Sequence, residues 1–234
     1  MIAREGYPSE SHTVTTDDCY ILSMHRIPHG KHENLTSKVN KPVVYLQHGL
    51  LCSSADWVMG NADNSLGFIL ADAGYDVWLG NYRGNTYSRA HCNLTPKTKE
   101  FWKFRSVWSR LAALFRLPAS HPIHSSWDEM GTFDIPAMID HILKVTGQEK
   151  IFYIGHSMGT TGFIVMANEK PEYQEHIHLA HFLAPVAYVD HMKSPIRYLA
   201  PFAQSIGVSL NSKWNDYILT CMIFTLLSSG FPTS

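Results

Sequence analysis

Residues 155–159 read Gly-His-Ser-Met-Gly and follow directly on the apolar run Ile151-Phe152-Tyr153-Ile154. A β-rich run, a G-x-S-x-G pentapeptide and a helix-compatible stretch together describe a strand that turns sharply into a helix with a serine at the corner. The serine backbone must bend hard enough to hold its hydroxyl out. The positions two before and two after it leave no room for a side chain, which is what glycine supplies. Ser157 is therefore the candidate nucleophile of an acyl-transfer reaction.

The rest of the chain supplies strands and helices in alternation. Residues 19–27 alternate imperfectly and end at the turn signal Pro28-His29-Gly30; residues 31–41 are polar and form a loop. Residues 42–46 form a compact buried strand that runs into Gln47-His48-Gly49-Leu50. A helix over 65–73, closed by Gly74, precedes a strand over 75–79. Residues 126–145 have the pattern of a long amphipathic helix, with Ser126 and Glu129 as a capping box, Gly147 as its stop, and Pro136 predicting a kink or break. A strand over 151–154, a helix over 158–169 and a strand over 176–184 complete the pattern. Such alternation predicts an α/β fold with a mostly parallel sheet and helices on both faces.

A serine hydroxyl needs a base to take its proton, and the oxyanion that forms needs fixed donors. At a corner of this kind one donor is the backbone N–H of the residue after the nucleophile, here Met158. The second comes from the loop after an early strand. Gly49 lets the backbone turn there, and Leu50 N–H is the expected donor.

Composition excludes several alternatives. The 234 residues suffice for one sizeable domain, and 45% hydrophobic residues with 12% aromatics describe a globular chain. A formal net charge of −1 gives no reason to expect a nucleic-acid partner. The fourteen histidines are scattered without metal-ligand spacing, so no metal is expected. Cys19, Cys52, Cys92 and Cys221 form no C-x-x-C pair, and their spacing chooses no connectivity. Asn34-Leu35-Thr36 and Asn93-Leu94-Thr95 are sequons that matter only in a secretory protein. The first residues lack the apolar stretch of a signal peptide, and residues 217–227 are too short to span a bilayer, so no transmembrane segment is expected.

The chain resembles the acid lipases of the α/β-hydrolase superfamily, the group that includes gastric, lysosomal and many insect lipases. The matching segments are Gly6-Tyr7-Pro8-Ser9-Glu10 with Tyr20-Ile21-Leu22, Arg26-Ile27-Pro28-His29-Gly30 and Leu46-Gln47-His48-Gly49-Leu50-Leu51. They continue with Asp76-Val77-Trp78-Leu79-Gly80-Asn81, Arg83-Gly84-Asn85, Trp127-Asp128-Glu129-Met130, Gly155-His156-Ser157-Met158-Gly159-Thr160-Thr161 and Leu183-Ala184-Pro185-Val186-Ala187. In collinear order they cover nearly everything up to about residue 200. The resemblance implies hydrolysis of triacylglycerol or sterol esters at a lipid–water interface, no cofactor, and a glycoprotein that is secreted or lysosomal. Its alternatives are a catalytically inactive, lipid-binding truncated relative and a small-ester carboxylesterase.

Three departures from that family pattern set further expectations. The expected signal peptide is missing. Residues 105–125 form an atypical insert between Phe101-Trp102-Lys103-Phe104 and Ser126-Trp127-Asp128-Glu129-Met130; an intron-derived stretch or tolerated surface loop is preferred over a lipid-contacting helix. In this fold class the triad runs Ser, acid, His along the chain, and the family places its acid and histidine beyond a cap. The expectation is therefore a partial hydrolase core over 1–187 and the start of a cap over 188–234. The C-terminal strands, much of the cap, and the triad's acid and histidine are missing on this reading. Asp190 with His176, His178, His181 or His191 is a disfavoured internal substitute, and neither acid nor histidine is identifiable.

Overall fold

The computed structural model describes residues 1–33, 41–102 and 127–187. Seven strands form one sheet among them: β1 (Glu10–Thr15), β2 (Tyr20–Ile27), β3 (Val43–Gln47), β4 (Asp76–Leu79), β5 (Ala90–His91), β6 (Ile151–His156) and β7 (Ile177–Leu183). Three helices accompany them: α1 (Leu66–Asp72), α2 (Ile135–Thr146) and α3 (Met158–Glu169). The strand order is β1-β2-β4-β3-β6-β7, with β5 paired to β2. β4, β3, β6 and β7 are mutually parallel, whereas β1, β2 and β5 add antiparallel pairings at the other side.

Every residue of β3 and β4 is buried, as expected of strands covered on both faces. Alternation divides their side chains between two cores. Val43, Tyr45 and Trp78, with Ile151 and Tyr153 of β6, pack against Ile135, Met138, Ile139 and Ile142 of α2 and Met166 of α3. Val44, Leu46, Val77 and Leu79 face the other way, against Phe68 and Ala71 of α1 and against Trp57 and Val58. Helices therefore cover both faces, and β3 and β6 end side by side in the centre of the sheet.

Several expected boundaries shift for local reasons. β2 begins at Tyr20, because Cys19 has φ 71° and belongs to the turn before it. His176 ends a 3₁₀ turn (Pro171–His176) instead of opening β7. The long helix expected over 126–145 is interrupted: one α-turn (Trp127–Glu129) leads into a π-helical turn (Met130–Asp134), and only then does α2 begin. Pro136 explains the placement. A proline has no N–H to give and its ring crowds the carbonyl four residues back, but in the first turn of α2 neither demand arises. The break predicted at Pro136 therefore takes the form of a wider turn just upstream. α2 ends at Gly147, φ 69°, with Gly147 N–H donating to Leu143 O at 2.8 Å. The insert at 105–125, Ser126 of the capping box and the segment 188–234 lie outside the described residues.

The π-turn is held by charge. Arg83, on the loop after β4, donates through Nε to Asp134 Oδ1 (2.8 Å) and through its backbone N–H to Asp134 Oδ2 (3.0 Å). The same guanidinium reaches Asp18 in the β1–β2 turn and lies 4.2 Å over the Tyr20 ring. Glu129, next to this cluster, is buried, and desolvation pushes its carboxyl up to about 7. A carboxyl raised in the folded state stabilises fully below its unfolded value, and that contribution fades as pH rises through the folded one. Wild-type stability should thus fall by roughly 2 kcal/mol between pH 4.5 and 7 relative to Glu129→Gln. Urea denaturation of both proteins at the two pH values measures the difference; equal slopes against pH would refute it.

Candidate active site

β6 delivers its chain to the corner where α3 begins, and Ser157 is the residue between them. Its backbone angles are φ 51° and ψ −112°. These match the first central position of a type II′ turn, a conformation that glycine dominates and that an L-side chain adopts only under strain. The surroundings enforce it. Ser157 N–H donates to Leu183 O (2.9 Å), and Ser157 O accepts from Thr160 N (2.9 Å) and Thr160 Oγ1 (2.6 Å).

Both motif glycines answer close approaches. A Cβ at Gly155 would lie 2.9 Å from the carbonyl carbon of Gly159, and a Cβ at Gly159 would lie 2.5 Å from Gln47 O at the end of β3. Tyr153 fixes the same turn from below, its hydroxyl donating to Gly159 O at 2.7 Å. The loop after β7 is tied in as well: Val186 N–H donates to Thr160 Oγ1 (2.9 Å) and Thr161 Oγ1 to Val186 O (2.6 Å).

The loop after β3 arrives at the corner from the other side. A Cβ at Gly49 would lie 3.2 Å from Ser157 Cβ and 3.0 Å from His156 Nδ1, so this backbone packs directly on the elbow. His48 sets its orientation. The ring is buried and neutral, its basicity lowered to about 4 by desolvation. Nε2 accepts from Tyr82 N–H (3.2 Å) and Asn85 Nδ2 (3.1 Å). The proton therefore sits on Nδ1, which donates to Gly49 O at 2.8 Å. That carbonyl also accepts from Cys52 N at 3.3 Å across a turn whose third residue, Leu51, has φ 61°. Carbonyl and N–H of a trans peptide point in opposite directions, so fixing Gly49 O aims Leu50 N–H away from the His48 ring. Met158 is the first residue of α3, and its N–H is among those a helix leaves without an intrahelical acceptor.

Sequence reasoning did not single out His48 as the residue that aims this peptide, nor Asn81 and Asn85 behind it. Asn81 Oδ1 accepts from Ser54 N (2.9 Å) and Asn85 Nδ2 (2.7 Å), bracing the loop from behind. Their place in the family-matching segments just after β3 and β4 marked them, but it assigned none of them this part.

The structure separates the internal substitutes from the serine. His176, at the end of the 3₁₀ turn before β7, binds Glu149 O (3.0 Å), and His178, at the start of β7, lies against Phe152, whereas Ser157 follows the end of β6. His181 is exposed and opposite Ile154. Asp190 and His191 lie outside the described residues. Among the described residues no histidine nitrogen is hydrogen-bonded to the Ser157 hydroxyl, and no three His, Cys, Asp or Glu side chains converge to hold a metal.

A strand–serine–helix corner facing a glycine loop from a neighbouring parallel strand defines a class, and sequence comparison agrees. Residues 42–204 match the family described as the alpha/beta hydrolase fold, and residues 1–61 match a partial alpha/beta-hydrolase lipase region. The chain belongs to the alpha/beta-hydrolase fold family. It is 40% identical to Lipase 3 of Drosophila melanogaster over 99% of this chain and 59% of the fly protein. It is 48% identical to the gastric triacylglycerol lipase of Bos taurus over 86% of this chain and 45% of that one. Identity with the lysosomal acid lipase/cholesteryl ester hydrolase of Homo sapiens is 46%, over 85% of this chain and 44% of the human protein. The chain thus spans about half the length of the curated relatives it matches. An esterase of Pyrococcus furiosus shares the fold at a TM-score of 0.52 and 17% identity, covering 87% of this chain and 60% of that one.

Proposed function

We propose that this chain carries the nucleophile and both oxyanion amides of a serine hydrolase acting on neutral lipid esters, triacylglycerol or sterol esters, at a lipid–water interface. The observation that carries the reading is the Ser157 backbone held at φ 51°, ψ −112° with the Gly49 loop packed on it. In this reading Ser157 Oγ attacks the ester carbonyl, and Leu50 and Met158 N–H receive the oxyanion. Loss of one such donor costs about 3–4 kcal/mol of transition-state stabilisation. Neither the base that accepts the serine proton nor its orienting acid is identified among the described residues.

An apolar acyl chain suits the rim of the corner. Leu51, on the loop that packs against Ser157, is 51% exposed, and Leu183, whose carbonyl receives the Ser157 N–H, is 42% exposed. Similarity to proteins named as triacylglycerol and cholesteryl ester hydrolases supports the same substrate class. We extend the proposal to a secreted or lysosomal glycoprotein, with exposed Asn93 of Asn93-Leu94-Thr95 as an acceptor. No helix among the described residues is long and apolar enough to cross a membrane.

Hydrolysis assays on the purified protein test the substrate. Turnover of emulsified long-chain triacylglycerol or cholesteryl oleate should exceed that of p-nitrophenyl acetate by at least about tenfold, as expected when acyl-chain burial adds ~0.8 kcal/mol per methylene. A preference for the acetate would favour a small-ester carboxylesterase. Absence of turnover on all three would favour an inactive relative.

A further inference from the structure

The β1–β2 hairpin contains a residue that its geometry does not favour. Cys19 N–H donates to Thr16 O (2.8 Å) and Thr16 N–H to Tyr20 O (2.9 Å), closing a turn in which Cys19 takes φ 71°. This is the left-handed bulge position of a hairpin, where glycine is the unstrained residue. A cysteine there carries a backbone penalty that its own turn does not repay.

Across the sheet, among the described residues, the strand register brings one cysteine opposite it. β2 pairs with β5 as Tyr20↔His91 and Ile21↔Ala90, so one step further along the antiparallel ladder Cys19 faces Cys92. The ladder does extend that far, because Cys92 N–H donates to Cys19 O at 3.0 Å. Directly opposed residues in such a ladder have Cα atoms roughly 4.5–5.5 Å apart, inside the span of roughly 4.4–6.8 Å that a disulfide bridges. The neighbouring Cys92 thiol raises the Cys19 thiol above its ordinary value. Cys92 is exposed and Cys19 partly so, which leaves the pair open to an oxidant.

We propose that Cys19 and Cys92 form a disulfide that staples the β1–β2 turn to the strand leading out of the Arg83 loop. The oxidant is a disulfide, either an oxidoreductase's active-site pair or oxidised glutathione. The more exposed Cys92 thiolate attacks one of its sulfurs and releases one thiol, giving a mixed disulfide. Cys19 thiolate then attacks the Cys92 sulfur and releases the second thiol. Two protein protons and one S–S bond are exchanged for one S–S bond and two S–H bonds on the oxidant. The staple closes a loop that includes β2, β3 and β4 and the Gly49 turn, so it restrains the elements that build the corner from the side opposite β7. The inference concerns the scaffold and stands apart from the chemistry proposed at Ser157.

Peptide mapping without reductant tests it on the full chain, secreted from eukaryotic cells or refolded in a glutathione redox buffer. The expected result is a linked pair of peptides containing Cys19 and Cys92, two hydrogens lighter than their sum, and protection of both residues from alkylation. Quantitative alkylation of both, or linkage of either to Cys52 or Cys221, overturns the proposal. Thermal melting gives the second reading. Adding reductant should lower the wild-type Tm by roughly 5–10 °C and leave Cys92→Ser unmoved. Cys19→Gly, which relieves the turn, should fold readily and be equally indifferent to reductant. A reductant-sensitive melt in either variant contradicts the assignment.

Discussion

Where the base is present, Ser157→Ala is expected to reduce ester turnover by about 10⁶-fold while leaving the folded protein in place, because the hydroxyl and its base act as a unit. A chain without the base should turn over negligibly before any substitution. The companion substitution separates strain from chemistry. Ser157→Gly should be equally inactive yet more stable than Ser157→Ala by about 1–2 kcal/mol, since glycine reaches φ 51°, ψ −112° without the penalty that alanine shares with serine. Initial rates on a soluble ester and urea midpoints of the three proteins measure both effects. Equal stability of the two variants would mean that the corner is relaxed, and retained turnover in either would remove Ser157 from the reaction.

The second large effect belongs to the scaffold. Asp134 is fully buried and grips Arg83, itself almost fully buried, so Asp134→Ala strips a buried guanidinium of the buried carboxylate that faces it. Removing one member of such a pair costs about 3–5 kcal/mol, enough to threaten a domain of ordinary stability. Replacing both residues by apolar ones of similar volume, Arg83→Met with Asp134→Leu, should cost much less, because no charge is stranded. Asp18 moderates this outcome, as it holds the far side of the guanidinium and would need water in its place. Denaturation of the two singles and the double gives the coupling energy. A double variant as unstable as the sum of its singles would show that packing, not stranded charge, sets the loss.

The parts of the fold that were legible share one property: their sequence signal and their burial coincide. α3 was expected over 158–169 and spans Met158–Glu169, because the glycine corner fixes its start and its neighbours need no special chemistry. β3 and β4, buried on both faces, carry the apolar runs Val43-Val44-Tyr45-Leu46 and Val77-Trp78-Leu79 and were placed to within a residue. β1 went unseen for the opposite reason. Its residues, Glu-Ser-His-Thr-Val-Thr, are mostly exposed or half-exposed, and only the ladder with β2 makes them a strand. β5 is two residues long and owes its existence to the same neighbour. The π-turn was legible only as a break near Pro136, since a proline says where a helix must change but not how.

The site divides in a similar way. Ser157 and its two glycines were readable, because the corner's steric needs are local and are met by residues within the pentapeptide and by β3. His48 was not. Its part in aiming the Gly49 peptide depends on Tyr82 and Asn85, over thirty positions away, which fix its tautomer from behind. The pairing of Cys19 with Cys92 was hidden likewise, because nothing in the spacing of four cysteines shows that a two-residue strand will lie against β2.

The most direct test of the account is the structure of the protein after reaction with a fluorophosphonate. The expected result is phosphorus bonded to Ser157 Oγ, with the phosphoryl oxygen about 2.7–3.1 Å from the backbone nitrogens of both Leu50 and Met158. Phosphorus on any other residue, or a phosphoryl oxygen turned away from those two amides, would contradict it.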